Sequence, residues 1–431
     1  MTLAGQRAEP LITGFGLQVY CILHFPNGTV TTTQKLKKQY REKQMKNSWK
    51  VICTAFVCGI FQLTISATKL TDEQLINCIN QMILIGASGN TLIKNSLLEQ
   101  ELKKGVGGFM LLPCNIATPQ QVKLFVQEIK SASRIPFFIA VDAEGGTVER
   151  LTPAKGFIEI PSAKTLGQDR SLENTKKYAE ILAQQLNDLG INMNMAPVLD
   201  VDINPDNPII GKRERSFSAD PEIVTNNARV CINIHKAHSI VPIAKHFPGH
   251  GSSKKDSHVD LPDITDTYCI EKELYPYAKL QDEQLLDVVM TAHLMNKSID
   301  PVYPATLSHT TLTGILRTEI GFDGVIISDD MLMGAIHEHF GFENAIIQAI
   351  NAGCDIVLIS KLTSTTCVHS INDTSDIMPV QKLPADTCTN TVAFARMVIF
   401  NAVKTGAIDE QRIVKAHERI MRLKKVYGII K

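Results

Sequence analysis

The sequence predicts one (β/α)8 barrel, the TIM-type α/β fold. Three observations carry this expectation: eight short apolar runs from Thr71 onward, amphipathic helix signals between them, and no second composition zone after the last run. The runs are Met82–Ile85, Gly107–Leu112, Phe137–Val141, Ile191–Ala196, Val241–Ala244, Val288–Thr291, Val325–Ile327 and Ile356–Ile359. Each is continuous rather than alternating in polarity, as expected of parallel strands buried on both faces.

The segments between the runs read as helices. Tyr178, Leu182 and Leu186 recur every fourth residue, and Gly190 stops that segment. Asp220-Pro221 supplies a cap followed by proline at the first helical position. Ser308 precedes Leu312, Ile315 and Leu316, with Gly321 as terminator, and Ala345–Ile350 leads to Gly353 just before the last run. A final helix from Glu410 to about Lys425 places Ile413, Ile420 and Leu423 on one side. The polar stretch Lys361–Asn390 reads as an excursion at the barrel mouth.

Composition narrows the function classes. Of 431 residues, 44% are hydrophobic and 20% charged, enough for a large core and too apolar for general disorder. Lys+Arg and Asp+Glu both number 44, so the chain lacks the long-range positive field that nucleic-acid binding requires.

The first 67 residues read as an N-terminal extension, ahead of a catalytic unit over residues 68–431. Residues 1–44 show no sustained period and carry a basic run at Lys35, Lys37, Lys38, Arg41 and Lys43. A second start follows at Met45, with Lys46 and Lys50, an apolar run from Val51 to Ile65 and the small residues Ser66-Ala67-Thr68. Basic, apolar, small is the plan of a secretory signal peptide, here residues 45–67. The run is shorter than the roughly 20 residues of a membrane span. The pattern predicts translation from Met45, cleavage near Thr68, export to the periplasm or medium, and no stable membrane span after processing. Seven of the ten cysteines follow Ala67 without any C-x-x-C spacing, which reads as small buried hydrophobes; an exported chain could also bridge Cys367 to Cys388.

Barrel active sites lie at the C-terminal ends of the strands. Just past the third run stand Asp142-Ala143-Glu144-Gly145-Gly146, and past the fifth Lys245-His246-Phe247-Pro248-Gly249-His250-Gly251, then Asp256-Ser257-His258. Ala292-His293 ends the sixth run and Ser328-Asp329-Asp330 the seventh. Singly these are ambiguous: an aspartate after a strand is usually a turn or cap residue, and Asp330 reads as the cap of the next helix. Gly249 and Gly251 read as the joints of a sharp, mobile loop. Acids, bases and cations converging on one rim point to a reaction centre.

These residues resemble glycoside hydrolase family 3, in its β-N-acetylhexosaminidase (NagZ-type) branch. The matching stretches are IAVDAEGGTVERL (139–151), RSFSADP (215–221), KHFPGHGSSKKDSH (245–258), VMTAHL (289–294) and GFDGVIISDDMLMGAI (321–336). The resemblance implies a retaining, two-step, exo-acting hydrolysis of terminal β-linked N-acetylhexosamine from cell-wall or chitin-type glycans, without metal or cofactor. It makes Asp329 the nucleophile that forms a covalent glycosyl intermediate. It makes His258 the acid/base, oriented by Asp256 as the aspartate of a serine triad orients its histidine. Because the barrel is the last composition zone, the proton donor is expected from a barrel loop; His250 and Glu144 are the next candidates. Asp142, with Arg150 nearby, is expected to accept hydrogen bonds from sugar hydroxyls, and Arg215, Lys245 and His246 to grip the ring hydroxyls and the N-acetyl group. Ala143 and Thr147 depart from the branch's usual residues, which bears on contacts beyond the first sugar.

Two other enzymes fit parts of the pattern. His246, His250, Asp256, His258 and His293 could serve a metal-dependent hydrolase, although the first run lacks the His-x-His usual in such barrels. A phosphorylase of the same family would use the same residues, since a histidine acid/base does not repel phosphate.

Overall fold

The computed structural model describes residues 69–257, 261–363 and 390–431, and Lys69–Lys431 form one compact unit. The N-terminal extension with its signal-peptide pattern, residues 364–389 of the mouth excursion, and the Cys367–Cys388 pair lie outside the described residues.

Eight parallel strands close into a barrel in chain order. They are β1 (Ile83–Ile85), β2 (Gly108–Leu111), β3 (Phe138–Val141), β4 (Met193–Asn194), β5 (Val241–Phe247), β6 (Val288–Thr291), β7 (Val325–Asp330) and β8 (Ile356–Ile359). Closure is made by β1 on β8, with Ile83 opposite Val357 and Ile85 opposite Ile359. Every predicted run is a strand, and the ends differ for identifiable reasons. The fourth shrinks to two residues because Pro197 has no N–H to give the ladder; beyond it Leu199 N–H still reaches Lys245 O at 2.6 Å. The fifth and seventh run on into polar residues, so Lys245, His246, Asp329 and Asp330 are held on strands rather than on loops.

The helices follow the sequence signals. Glu173–Leu189 buries Leu182 and Leu186. Pro221–Ala237 starts at Asp220, whose side chain accepts from Glu222 N at 2.9 Å. Thr310–Glu319 is wound as a π-helix, behind Ser308, whose hydroxyl accepts from Thr311 N at 3.0 Å. Phe342–Ala352 packs Ala345, Ile346, Ala349 and Ile350 inward, and Glu410–Val426 buries Ile413, Ile420 and Leu423. That last helix also buries Lys424 at the N-terminal end of the barrel, where its ammonium donates to Gln81 Oε1 at 2.6 Å and Pro136 O at 3.0 Å. Burial pushes this ammonium down to about 7.

Cys78, Cys114, Cys231, Cys269 and Cys354 are free thiols. Among the described residues no helix is long and apolar enough to cross a membrane.

Candidate active site

The C-terminal rim is built around a file of alternating charges. Lys245, near the end of β5, donates to Asp142 Oδ1 at 2.8 Å and to Glu144 Oε1 at 2.6 Å. Arg215 grips the same Glu144 through both branches of its fork, Nε to Oε2 and Nη2 to Oε1, each at 2.8 Å. Its Nη2 also meets His246 Nε2 at 3.2 Å, and His246 Nδ1 meets Asp200 Oδ2 at 2.7 Å. An arginine nitrogen can only donate, so Nε2 accepts and the ring proton sits on Nδ1, toward Asp200.

Exposure falls along this file. The side chains of Arg150 and Asp142 are 32% and 15% exposed and stand 3.5 Å apart, Lys245 and Glu144 are 3% exposed, and Asp200 is fully enclosed. The electrostatics follow. Burial alone would raise the Glu144 carboxyl, but Arg215 and Lys245 together outweigh it and hold it well below the usual carboxylate range. Burial likewise opposes charge on Lys245, and Asp142 and Glu144 reverse the effect, raising its pKa. Glu144 is therefore ionised at neutral pH and has no proton to give, so it is not the alternative donor the sequence suggested.

Local folding explains how the acids arrive. After β3 the chain turns through a hairpin, Ala143–Gly145 pairing antiparallel with Val148–Glu149, an element the sequence analysis did not predict. Asn194 on β4 pins it, accepting from Ala143 N at 3.2 Å and donating to Ala143 O at 3.0 Å. Arg150 N–H returns to Asp142 O at 3.1 Å, so Asp142 and Arg150 face each other across the hairpin base. Inside it, burial pushes Glu149 up to about 7 while its oxygens accept from Leu151 N and Gly145 N.

Asp329 and Asp330 share the end of β7 but differ in surroundings. Asp330 accepts from Ser360 N at 3.1 Å, from the Ser360 hydroxyl, and from Leu332 N at 3.2 Å. It therefore joins β7 to β8. The helix Gly334–Phe340 starts at Met333, so the expectation that Asp330 caps it is corrected. Asp329 is half-buried, and its Oδ1 accepts from Asp330 N at 2.8 Å.

In the segment after β5, Gly249 takes a φ of +130°, the left-handed region a sharp turn uses. Gly249 and Gly251 are sites of close approach: a Cβ on Gly251 would stand 1.6 Å from Val201 O, and one on Gly249 2.2 Å from Glu273 Oε2. His250 is buried, and burial pushes its ring down to about 4, so at neutral pH it is the uncharged imidazole and not the imidazolium a general acid needs. Asp256 is half-buried on the same loop; His258, its predicted partner, lies outside the described residues.

The structure thus brings Asp142, Arg150, Lys245, Arg215 and His246 into one connected network. Sequence reasoning missed Asp200 and took Glu144 for a spare acid. The available signal for Asp200 was its place just past the fourth apolar run, in Pro197-Val198-Leu199-Asp200. Of the histidines proposed for a metal, His246 turns to the protein partners above, and His293 to Thr306 Oγ1 at 2.8 Å and Asp330 O at 3.0 Å. Among the described residues no group of three or more His, Cys, Asp or Glu is arranged to hold an ion.

The chain is similar to known proteins. The chain is 32% identical over 289 residues to beta-hexosaminidase A of Pseudoalteromonas piscicida, covering 62% of this chain and 48% of that protein. It is 34% identical over 285 residues to a beta-hexosaminidase of Nitrosomonas eutropha, covering 64% and 80%. Among solved structures it resembles a glycoside hydrolase family 3 beta-N-acetylglucosaminidase from Paenibacillus sp. str. FPU-7, with TM-score 0.71, 30% identity, and coverage of 84% of this chain and 63% of that one. The chain thus spans about half the length of the first relative and under two thirds of the solved one. Residues 75–423 match the glycosyl hydrolase family 3 N terminal domain, and the chain belongs to that family.

Proposed function

We propose that this protein is an exo-acting, retaining β-N-acetylhexosaminidase that removes terminal β-linked N-acetylglucosamine. The observation that carries the reading is the charge file ending in Asp142 and Arg150 at the rim. Neutral, polyhydroxylated ligands need dense, oriented, charge-assisted donors and acceptors, and this file supplies them already paired and fixed. In the proposed reaction Asp329 attacks the anomeric carbon as the glycosidic bond breaks, and His258 protonates the leaving oxygen. Water, deprotonated by the same histidine, then releases the sugar from Asp329. The different settings of the two β7 aspartates support Asp329 over Asp330, whose oxygens are taken up by Ser360 and Leu332. The pattern of residues 45–67 supports export, and with it substrates outside the cytoplasm such as cell-wall or chitin-type glycans.

The test is hydrolysis of p-nitrophenyl N-acetyl-β-glucosaminide, with the first-formed anomer read by proton NMR. The expected product is the β anomer, and Asp329→Ala should fold yet lose turnover by several orders of magnitude. A first-formed α anomer, or a folded Asp330→Ala that is dead beside an active Asp329→Ala, would reject the assignment.

A further inference from the structure

We propose that Asp200 is the positioning residue of this site: one enclosed carboxylate that fixes the tautomer of His246 and sets the root of the loop carrying Asp256 and His258. The kinetic half of this proposal rests on the hexosaminidase reading; the tautomer half does not.

The geometry joins two parts of the site at a single side chain. Asp200 Oδ2 takes the His246 Nδ1 proton at 2.7 Å, while Oδ1 accepts two backbone N–H groups, His246 at 3.2 Å and His250 at 2.7 Å. All of its neighbours in these bonds are donors, so the ionised carboxylate suits every one of them. Burial works against that ionisation, and the His246 ring and His250 N–H outweigh it, lowering the pKa. Through His246 the carboxylate reaches Arg215, and through Arg215 the paired Glu144 and Lys245.

Through His250 it reaches the loop. The same post-β4 segment stitches the loop root residue by residue. Asn207 Nδ2 donates to His250 O at 2.7 Å and Gly251 O at 3.3 Å, Asn204 Nδ2 to Ser253 O at 2.9 Å, and Asn204 N to Gly251 O at 3.2 Å. Glu273 holds the other side, accepting from Ser252 N at 3.1 Å. The root is thus fixed as far as Ser253, and the side chains become exposed at Lys254 and Lys255. The sugar grip and the root of this loop, as far as Ser253, meet at Asp200.

Asparagine at this position makes the proposal testable, because it has the same shape but one acceptor oxygen and an NH2 group. With the oxygen toward the two backbone N–H groups, the NH2 faces His246 Nδ1. The ring proton must then move to Nε2, donor against donor with Arg215 at the 3.2 Å contact. With the amide reversed, NH2 faces the two N–H groups instead. The first arrangement leaves fewer conflicts.

The experiment is 15N NMR of histidine-labelled protein, with the His246 signals assigned by their loss in His246→Gln, alongside kinetics of Asp200→Asn. Wild type should show the Nδ1–H tautomer, and Asp200→Asn the Nε2–H tautomer. The variant's kcat/KM should fall on the order of 100-fold, more for glycosides with poor leaving groups than for activated aryl glycosides. Wild type with an Nε2–H or averaged ring overturns the proposal, as does an Asp200→Asn variant with wild-type tautomer and wild-type dependence on the leaving group. Should Asp200→Asn not fold, Asn207→Ala tests the loop half: its dependence on leaving-group acidity must steepen while the His246 spectrum stays wild type, and an unchanged dependence refutes it. The tautomer measurement needs no turnover, so it decides on Asp200 even if the hexosaminidase reading fails.

Discussion

Replacing Glu144 with glutamine removes one charge and leaves the shape of the rim network. Glu144 is the shared anion of Arg215 and Lys245, with three contacts between 2.6 and 2.8 Å, and both cations are at most 8% exposed. Without it Lys245 keeps Asp142, whereas Arg215 has no carboxylate in direct contact, and the new amide NH2 opposes donors. Stranding a buried charge costs about 3–5 kcal/mol, which at roughly 1.3 °C per kcal/mol for a unit of this size lowers Tm by about 4–7 °C. The pH dependence has a definite sign. The folded-state pKa of Glu144 lies below its ordinary value of 4.5, so its contribution is complete above that value and disappears as pH falls through the folded pKa. The difference between wild type and Glu144→Gln should therefore be flat from pH 8 to about 5 and shrink only in strong acid. Calorimetric melts across that range, with KM measured beside them, check it; KM should rise as Arg215 and Lys245 relax. A loss below about 1 kcal/mol with KM unchanged would mark an ordinary surface-type pair and refute the reasoning.

Three further outcomes are expected. His258→Ala should slow natural disaccharides far more than activated aryl glycosides, and azide should restore part of the lost rate; identical leaving-group dependence in variant and wild type would move the proton donor elsewhere. Lys424 titrates near 7 when folded against 10.5 in its ordinary state, so the unfolded chain binds more protons in that interval. Stability should climb as pH rises from about 7 to about 10.5. Lys424→Met should abolish the slope, although orphaning the Gln81 and Pro136 oxygens costs about 1–3 kcal/mol, so the slope in denaturant titrations is the readout. Intact-mass analysis of protein from the native host should find an N-terminus near Thr68; a cytosolic form starting at Met1 would contradict export.

What was legible in the sequence divides along physical lines. Strands buried on both faces must be continuously apolar, so all eight could be counted, from Ile83 to Ile359. Helix ends marked by Asp220 and Ser308 could be read because caps act locally. Charges inside strands broke the pattern: Lys245-His246 and Ser328-Asp329-Asp330 looked like loop because their partners lie across the rim, not along the chain. At Gly249 the sequence displays the freedom that its φ of +130° uses, but not the Glu273 carboxylate or, at Gly251, the Val201 carbonyl lying against it. Asp200 was passed over for the same reason. Its bonds go to residues 46 and 50 positions away, and its place just past the fourth apolar run is the one mark beside it in the chain. Glu144 looked like a spare acid until its two cations were in place.

Buried charge alone does not mark a reaction centre, and this barrel carries a second cluster that makes the distinction. At the start of β8, the enclosed Asp355 is held by Arg317 at 2.6 Å, Arg412 at 3.0 Å and Arg419 at 3.5 Å. There several of the donors end on the backbone, Arg317 on Phe322 O and Gly324 O and Arg412 on Ile350 O and Cys354 O, Arg419 also reaches Asp323, and Asp355 itself accepts from Ile326 N. That cluster ties helix ends and strand starts together at the N-terminal side of the barrel. The rim file is organised differently. Its members are paired chiefly with one another, they become more exposed toward Asp142 and Arg150, and both of those stand at the C-terminal mouth of the barrel. A buried ion network adds little net stability over apolar packing, so stability does not explain why charges occupy these positions. Recognition of a polar ligand, as proposed above, would explain it, because the outer members of a pre-paired file are the more exposed ones while the inner ones hold them in place.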